Sequence, residues 1–271
     1  FVPFIDGDIE DRHISAGLKG MWGDWHWDIS QTHGYNRLDY NINHTLNASI
    51  ANQDLLSGGA GISPTAFNAG GFSFQQDTTN LDVSRYFEDA MNGVNVAFGT
   101  EFRRENYQIY AGEPGSYIDA DGVGIGGNAG SQGFPGFAPS DTTDKSRDSW
   151  SLYGDLEVGF NDRVTGDFAI RYEDYSDFGS TATGKAALLF KASDTLRFRG
   201  SVSTGFRAPS LQQRYFSSTF TDFISGVPLD VVLAPNGGVI ANAAGIPALK
   251  EEKSRNYTLG MTWSPNDDTS L

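Results

Sequence analysis

The sequence predicts an all-β chain, an antiparallel up-and-down transmembrane β-barrel, and three observations carry that prediction. First, from Trp150 the residues alternate with period two. Trp150, Leu152, Gly154, Leu156, Val158 and Phe160 lie on one face, and Ser151, Tyr153, Asp155, Glu157 and Gly159 on the other. Second, after Asn161-Asp162 the pattern resumes, with Val164, Gly166, Phe168, Ile170 and Tyr172 set against Thr165, Asp167, Ala169, Arg171 and Glu173. Two such runs around a two-residue turn read as a hairpin. Each is about 11 residues long, enough for a tilted strand to cross a bilayer and longer than the ~5–6 of soluble strands. Third, the non-apolar face carries carboxylates and arginine, which points to a wet lumen behind a lipid-facing wall.

Composition agrees. The chain has 271 residues, a formal net charge of −15, no cysteine, 33 glycines and 13% aromatics. No segment approaches the ~20 apolar residues of a membrane helix; the longest apolar run is Ala186-Ala187-Leu188-Leu189-Phe190. The negative mean hydropathy is compatible with a barrel, because half of each spanning strand is polar. Absence of cysteine removes disulfide frameworks and thiolate metal sites. The acidic balance argues against nucleic-acid binding. Phe1-Val2-Pro3-Phe4 is neither an initiator methionine nor a signal peptide, so the chain is expected to be a piece of a longer one.

Taken in order, residues 1–12 read as a polar, irregular tail. Alternation begins at His13, with Ile14, Ala16, Leu18, Gly20 and Trp22 on one face, and turns at Gly23-Asp24. Trp25, Trp27 and Ile29 then open a strand reaching about Tyr40. Residues 41–76 read as a long loop. Leu81, Val83 and Phe87 mark a strand that ends at Met91-Asn92-Gly93. Val94, Val96, Phe98, Thr100 and Phe102 oppose Ala97, Gly99, Glu101, Arg103 and Glu105. A second long loop covers 111–145. After the Trp150 hairpin, Gly184, Ala186, Leu188 and Phe190 form a strand turning at Ser193-Asp194. Leu196 to Phe206 forms the next. Pro209 stops ladder pairing, and 209–251 forms the third long loop before a strand marked by Tyr257, Leu259, Met261 and Trp263. A turn at Pro265-Asn266-Asp267-Asp268 begins a stub. Tight turns on one rim and long loops on the other distinguish this meander from a sandwich or propeller. Trp22, Trp25, Phe160 and Trp263, near the tight turns, fit an aromatic girdle. About nine strands and the start of a tenth suit an incomplete portion of a larger barrel better than a closed ten-stranded one.

Ser203-Thr204-Gly205-Phe206-Arg207-Ala208-Pro209-Ser210-Leu211 resembles the segment that closes a strand at the extracellular rim in TonB-dependent outer-membrane receptors. Leu249-Lys250-Glu251-Glu252-Lys253-Ser254-Arg255-Asn256-Tyr257 is similar to the same family's entry into its next strand. The strand rhythm agrees from about His13 onward. The resemblance implies about ten strands of a probably 22-stranded, plugged barrel in the bacterial outer membrane, with residues 1–271 all in the barrel portion. It further implies outer-membrane lipid around the barrel, a small-molecule ligand, and a TonB complex coupled through a plug domain. Neither an N-terminal plug nor a C-terminal aromatic-ended strand is visible. An iron–siderophore complex is the expected cargo, with oligosaccharide or peptide uptake as alternatives. A passive porin or adhesive barrel, and a soluble carbohydrate-binding β-domain, are rivals from other classes.

Candidate chemistry is modest. Gly122-Val123-Gly124-Ile125-Gly126-Gly127 matches a dinucleotide fingerprint, but the following Asn, Gly and Pro135 cannot open a helix. Asp119 and Asp121 form a weak calcium candidate without the remaining ligand positions of a calcium loop. His13, His26, His33 and His44 lack zinc spacing, and His26 and His33 fall on opposite faces. No nucleophile–base constellation appears, so neither an enzyme nor a cofactor is expected. Glu101, Arg103, Glu105, Asp155, Glu157, Asp167, Arg171, Glu173, Arg197, Arg199 and Arg207 fall on the polar face. A lumen salt-bridge and plug-contact network is the favoured reading there, over a path for an anionic ligand. In the loops, Tyr110, Tyr117, Arg207, Arg214, Tyr215, Phe216, Phe220 and Phe223 combine aromatic surface with cationic donors and are the ligand-binding candidates.

Overall fold

The computed structural model describes residues 2–122, 126–225 and 227–265. Nine strands form one antiparallel sheet: β1 (Phe4–Trp22), β2 (Trp25–Asn43), β3 (Ala66–Phe87), β4 (Val94–Tyr110), β5 (Thr143–Asn161), β6 (Val164–Tyr175), β7 (Gly179–Lys191), β8 (Leu196–Arg207) and β11 (Glu252–Trp263). Each pairs with its sequence neighbour, except that β8 pairs with β11 across an inserted two-stranded hairpin, β9 (Ser218–Ile224) and β10 (Val227–Leu233). Three short helices lie in the loops: α1 (Ala48–Leu56), α2 (Leu211–Tyr215) and α3 (Val239–Ala243). This is a partial up-and-down barrel wall.

The register assigns the two faces. Val96↔Leu156↔Phe168↔Ala186↔Val202↔Tyr257 runs along one face; Ala97↔Asp155↔Ala169↔Lys185↔Ser203↔Asn256 runs along the other. Leu156, Phe168, Phe198 and Leu259 are all exposed, Leu259 at 91%, with no second protein layer over them. An outward apolar face left uncovered is the arrangement hydrocarbon requires. On β4 and β5 the apolar stretch runs from Val94 and Val158 to the tilted ring pair Phe102–Trp150, 4.6 Å between centroids. One step beyond, the same face turns ionic at Arg104–Asp148, 3.4 Å. The apolar stretch matches the ~9–11 residues a tilted strand needs to cross. At the opposite border Trp22 pairs with Trp25, and Arg85 lies over the Trp25 and Phe87 rings.

β1 to β5 have 17 to 22 residues, against 12 or 13 in β6, β7, β8 and β11. This corrects several sequence boundaries. Residues 4–12 belong to β1, paired throughout with β2. Beyond Ile14 the outward positions are Arg12, Glu10, Asp8 and Asp6, so water lies on both sides and the alternation disappears although the ladder continues. The first loop spans 44–65, because β3 begins at Ala66 rather than beyond residue 76. A register shift between Asp39 and Asn41 and the positive φ of Gly70 break the period there. A Cβ on Gly70 would lie 2.4 Å from the Tyr110 carbonyl oxygen, so only glycine fits. The second loop ends at residue 142, and the third contains β9–β10 and two helices, which its composition concealed. The β5–β6 turn sits at 162–163, one residue later than expected, because of an irregularity between Gly159 and Asn161. The expected turn at Asn266 and the start of a tenth strand lie outside the described residues, as do Val123, Gly124 and Ile125 of the glycine-rich motif.

Candidate functional site

The long-loop rim and the upper inner wall form one constellation. Its base is an apolar cluster of Tyr107 and Ile109 on β4, Phe137 in the second loop and Leu211 at the start of α2, all at most 2% exposed. Tyr40, Phe72, Phe74, Phe134, Tyr215 and Phe216 pack around it. These inward positions are apolar because the loops fold over them.

Arg147 on β5 joins three segments. Its guanidinium grips Glu105 through Nε and Nη2 at 2.8 and 2.6 Å, while Nη1 donates to the Pro209 carbonyl at 2.7 Å. At 5% exposure it is the most enclosed side chain among the ion pairs of the described residues. Arg214 on α2 pairs with Asp177, and α2 is capped by Ser210, whose Oγ accepts from Gln213 N at 3.1 Å. The Ala208-Pro209-Ser210-Leu211 stretch is thus fixed to the rim by a carbonyl, a cap and a buried leucine. Sequence reading missed Arg147 because it lay between the supposed loop 111–145 and the alternation read from Trp150; its inward parity with Ser149 and Ser151 was the available signal.

Below the rim the predicted polar residues meet. Arg103 Nη2 donates to Glu101 at 2.7 Å, and Arg171 Nη2 donates to Glu101 at 3.2 Å and to Ser151 Oγ at 2.7 Å. Arg171 also pairs with Glu173, which accepts from Tyr175 OH at 2.6 Å. Lys185 Nζ donates to Asp167 at 2.7 Å. Glu101, Arg171 and Lys185, with Asp155, line an open groove along the inner wall. Glu157 lies opposite Asp167 on the same face. Arg197 and Arg199 also face inward and form no ion pair among the described residues. Arg207, 65% exposed, reaches Glu252 at 3.3 Å.

The ligand-binding candidates divide. Tyr215 and Phe216 stand at the rim, with Lys145 Nζ 5.8 Å from the Tyr215 ring centre and Phe216 edge-on to Phe137. Arg214 is committed to Asp177. Tyr117 is half-buried in the second loop, and Phe220 is exposed on β9. Phe223 belongs to β9, but its side chain lies outside the described residues. Tyr110 sits apart, on the outward face: its hydroxyl donates to Leu38 O and Asp39 Oδ1 at 3.1 and 2.8 Å, beneath Arg37.

Asp119 and Asp121 lie side by side. Burial and the Asp121 carboxylate raise Asp119 above the usual carboxylate range. Burial opposes ionisation of Asp121 too, but hydrogen bonds from Asn52 Nδ2, 2.6 Å, and Gly127 N, 3.1 Å, hold it lower. Among the described residues no group of three or more His, Cys, Asp or Glu side chains converges as a metal site. His26 faces inward, whereas His33 faces outward and pairs with Asp77 at 2.8 Å.

No curated protein matches the sequence. The fold matches solved structures at low identity. The siderophore receptor PirA of Acinetobacter baumannii is 15% identical, with a TM-score of 0.62 over 97% of this chain and 34% of that one. A mutant of the ferric enterobactin receptor PfeA of Pseudomonas aeruginosa is 16% identical, with a TM-score of 0.64 over 97% and 33%. The RagAB peptide transporter is 10% identical, with a TM-score of 0.58 over 96% and 28%. The chain therefore spans about a third of the length of the structures it matches. A sequence model of the family described as TonB dependent receptor-like, beta-barrel, matches residues 4–271. With that match and this wall of strands, the chain belongs to the TonB-dependent receptor β-barrel family.

Proposed function

We propose that the chain is the barrel-wall portion of a bacterial outer-membrane active-transport receptor, which captures a scarce small ligand at the long-loop rim and admits it to the lumen with TonB-coupled energy. The observation that carries this reading is the pairing of a loop rim rich in aromatics and cations with an ion-lined inner wall. An iron–siderophore complex is the leading cargo, since Tyr215, Phe216 and Lys145 offer stacking surface beside positive charge to an anionic aromatic chelate. Peptide or oligosaccharide cargo is the alternative. Arg197 and Arg199, without partners in the described wall, suit contact with a plug domain, through which the TonB complex would act. Outer-membrane lipid would cover the Val94–Phe102 belt. The reading assigns no catalytic residue.

The test is ligand binding to the full receptor in detergent, comparing a ferric catecholate, a peptide mixture and oligosaccharides. The expected result is saturable binding of the ferric chelate that Tyr215→Ala weakens about tenfold, the share of a typical hot-spot aromatic. Binding of peptide or glycan alone would transfer the assignment to that cargo. Equal binding of all three, unaffected by the substitution, would contradict capture at this rim.

A further inference from the structure

We propose that the three long loops form a single cooperative cap, held together by two buried polar side chains: Asn47 joins the first loop to the second, and Asp141 joins the second to the third. Asn47 is fully buried. Its Nδ2 donates to Gly115 O and Ile118 O, both at 3.0 Å, while its Oδ1 accepts from Ser49 N at 3.0 Å, Ser49 Oγ at 2.7 Å and Ile50 N at 3.3 Å. The same residue caps α1 and forms a bridge with Ser131. Ser49 Oγ accepts from Ala120 N at 2.9 Å and lies 3.2 Å from Ile118 O, extending the joint.

Asp141, 1% exposed, does the corresponding job further along. Its carboxylate accepts from Ala138 N at 3.0 Å within its own loop. From the third loop it accepts from Ser217 Oγ at 3.1 Å, Thr219 N at 3.2 Å and Thr219 Oγ1 at 2.8 Å. The Thr219 amide and hydroxyl stand at the root of the β9–β10 hairpin. The hairpin itself carries exposed Phe220, Leu229, Val232 and Leu233, and a two-stranded hairpin alone is marginal in water. Asp141 and the Phe137–Phe216 contact tie its root to the barrel rim. Parting the second loop from the third forfeits the three bonds from Ser217 and Thr219, and parting the first from the second forfeits those of Asn47 to Gly115 and Ile118, so the loops open together. A ligand that binds the closed cap more tightly than the open one then steadies all three loops, whichever of them it touches.

The test is hydrogen exchange on the full receptor in lipid nanodiscs across sub-denaturing urea, without ligand. The amides of Ser49, Ser131 and Thr219 are expected to share one opening free energy and one urea dependence. Asp141→Ala is expected to speed exchange at Ser49, Ser131 and Thr219 together, roughly tenfold to a hundredfold, the range for a lost charged hydrogen bond, while the β6–β7 ladder stays unchanged. Thr219→Val, which keeps volume and removes one donor, is expected to show the same common shift more weakly. Independent opening of Thr219 in the native sequence, or a shift confined to Thr219 in both variants, would overturn the cap.

Discussion

Arg147 shows how much of this wall depends on single side chains with several partners. Removing one member of a buried ion pair strands the other and costs about 3–5 kcal/mol. Arg147→Ala is therefore expected to release residues 208–217 from the rim, leaving Glu105 uncompensated and the Pro209 carbonyl without its donor. Limited proteolysis checks this: new cleavage should appear between Arg207 and Ser217 while β6–β8 stay intact, and an unchanged pattern would refute the anchoring role. Asp54 supplies a pH-dependent counterpart at the end of α1. Hydrogen bonds from the backbone of Ile62 and Gly61 hold its carboxyl below the usual range. A depressed carboxylate contributes order that is fully present above its unfolded pKa and is lost as pH falls through its folded one. Exchange at the Gly61 and Ile62 amides, corrected for intrinsic rates, should stay constant from neutrality to about pH 4 and rise below it. Constant protection down to pH 2 would remove Asp54 as the cause.

At the level of the strands, what the sequence revealed depended on which solvents met them. Where lipid lies on one side and water on the other, from Val94 to Phe102 or Trp150 to Val158, period two is complete, and the faces read from the sequence are those of the register. Where water bathes both sides, as at Asp6, Asp8 and Glu10, pairing leaves no trace in hydropathy, and β1 looked like a tail. Where loops cover the inner side, as at Phe72, Tyr107 and Ile109, apolar residues occupy the lumen face, and β3 lost its first residues to a supposed loop. Of the side chains whose importance comes from distant partners, Asn47 and Asp141 gave no local signal, and Arg147 gave only its inward parity. Tyr110 was misleading in the opposite sense: its composition suited a ligand contact, but parity turns it outward toward Arg37 and Asp39. The Gly70 irregularity is testable here. Gly70→Val should destabilise the upper β3–β4 junction by about 1–3 kcal/mol, from left-handed strain and a clash with the Tyr110 carbonyl. A urea midpoint in lipid equal to that of the native sequence would refute this.

For the molecule as a whole, everything follows from which solvent each face meets. Gly154→Arg, at the centre of the Trp150–Val158 belt, should cost about 2–4 kcal/mol in lipid, whereas Ser201→Arg on the inner face of the same wall should be nearly neutral. The absence of cysteine from all 271 residues permits the most direct measurement: single nitroxide labels at positions 155, 156, 168 and 185 of the reconstituted receptor, probed for collision with oxygen and with a water-soluble nickel chelate. Labels at 156 and 168 should collide with oxygen and be shielded from nickel, and those at 155 and 185 should show the reverse. Nickel access at 156 and 168, or burial of all four positions from both probes, would contradict a lipid-facing barrel wall.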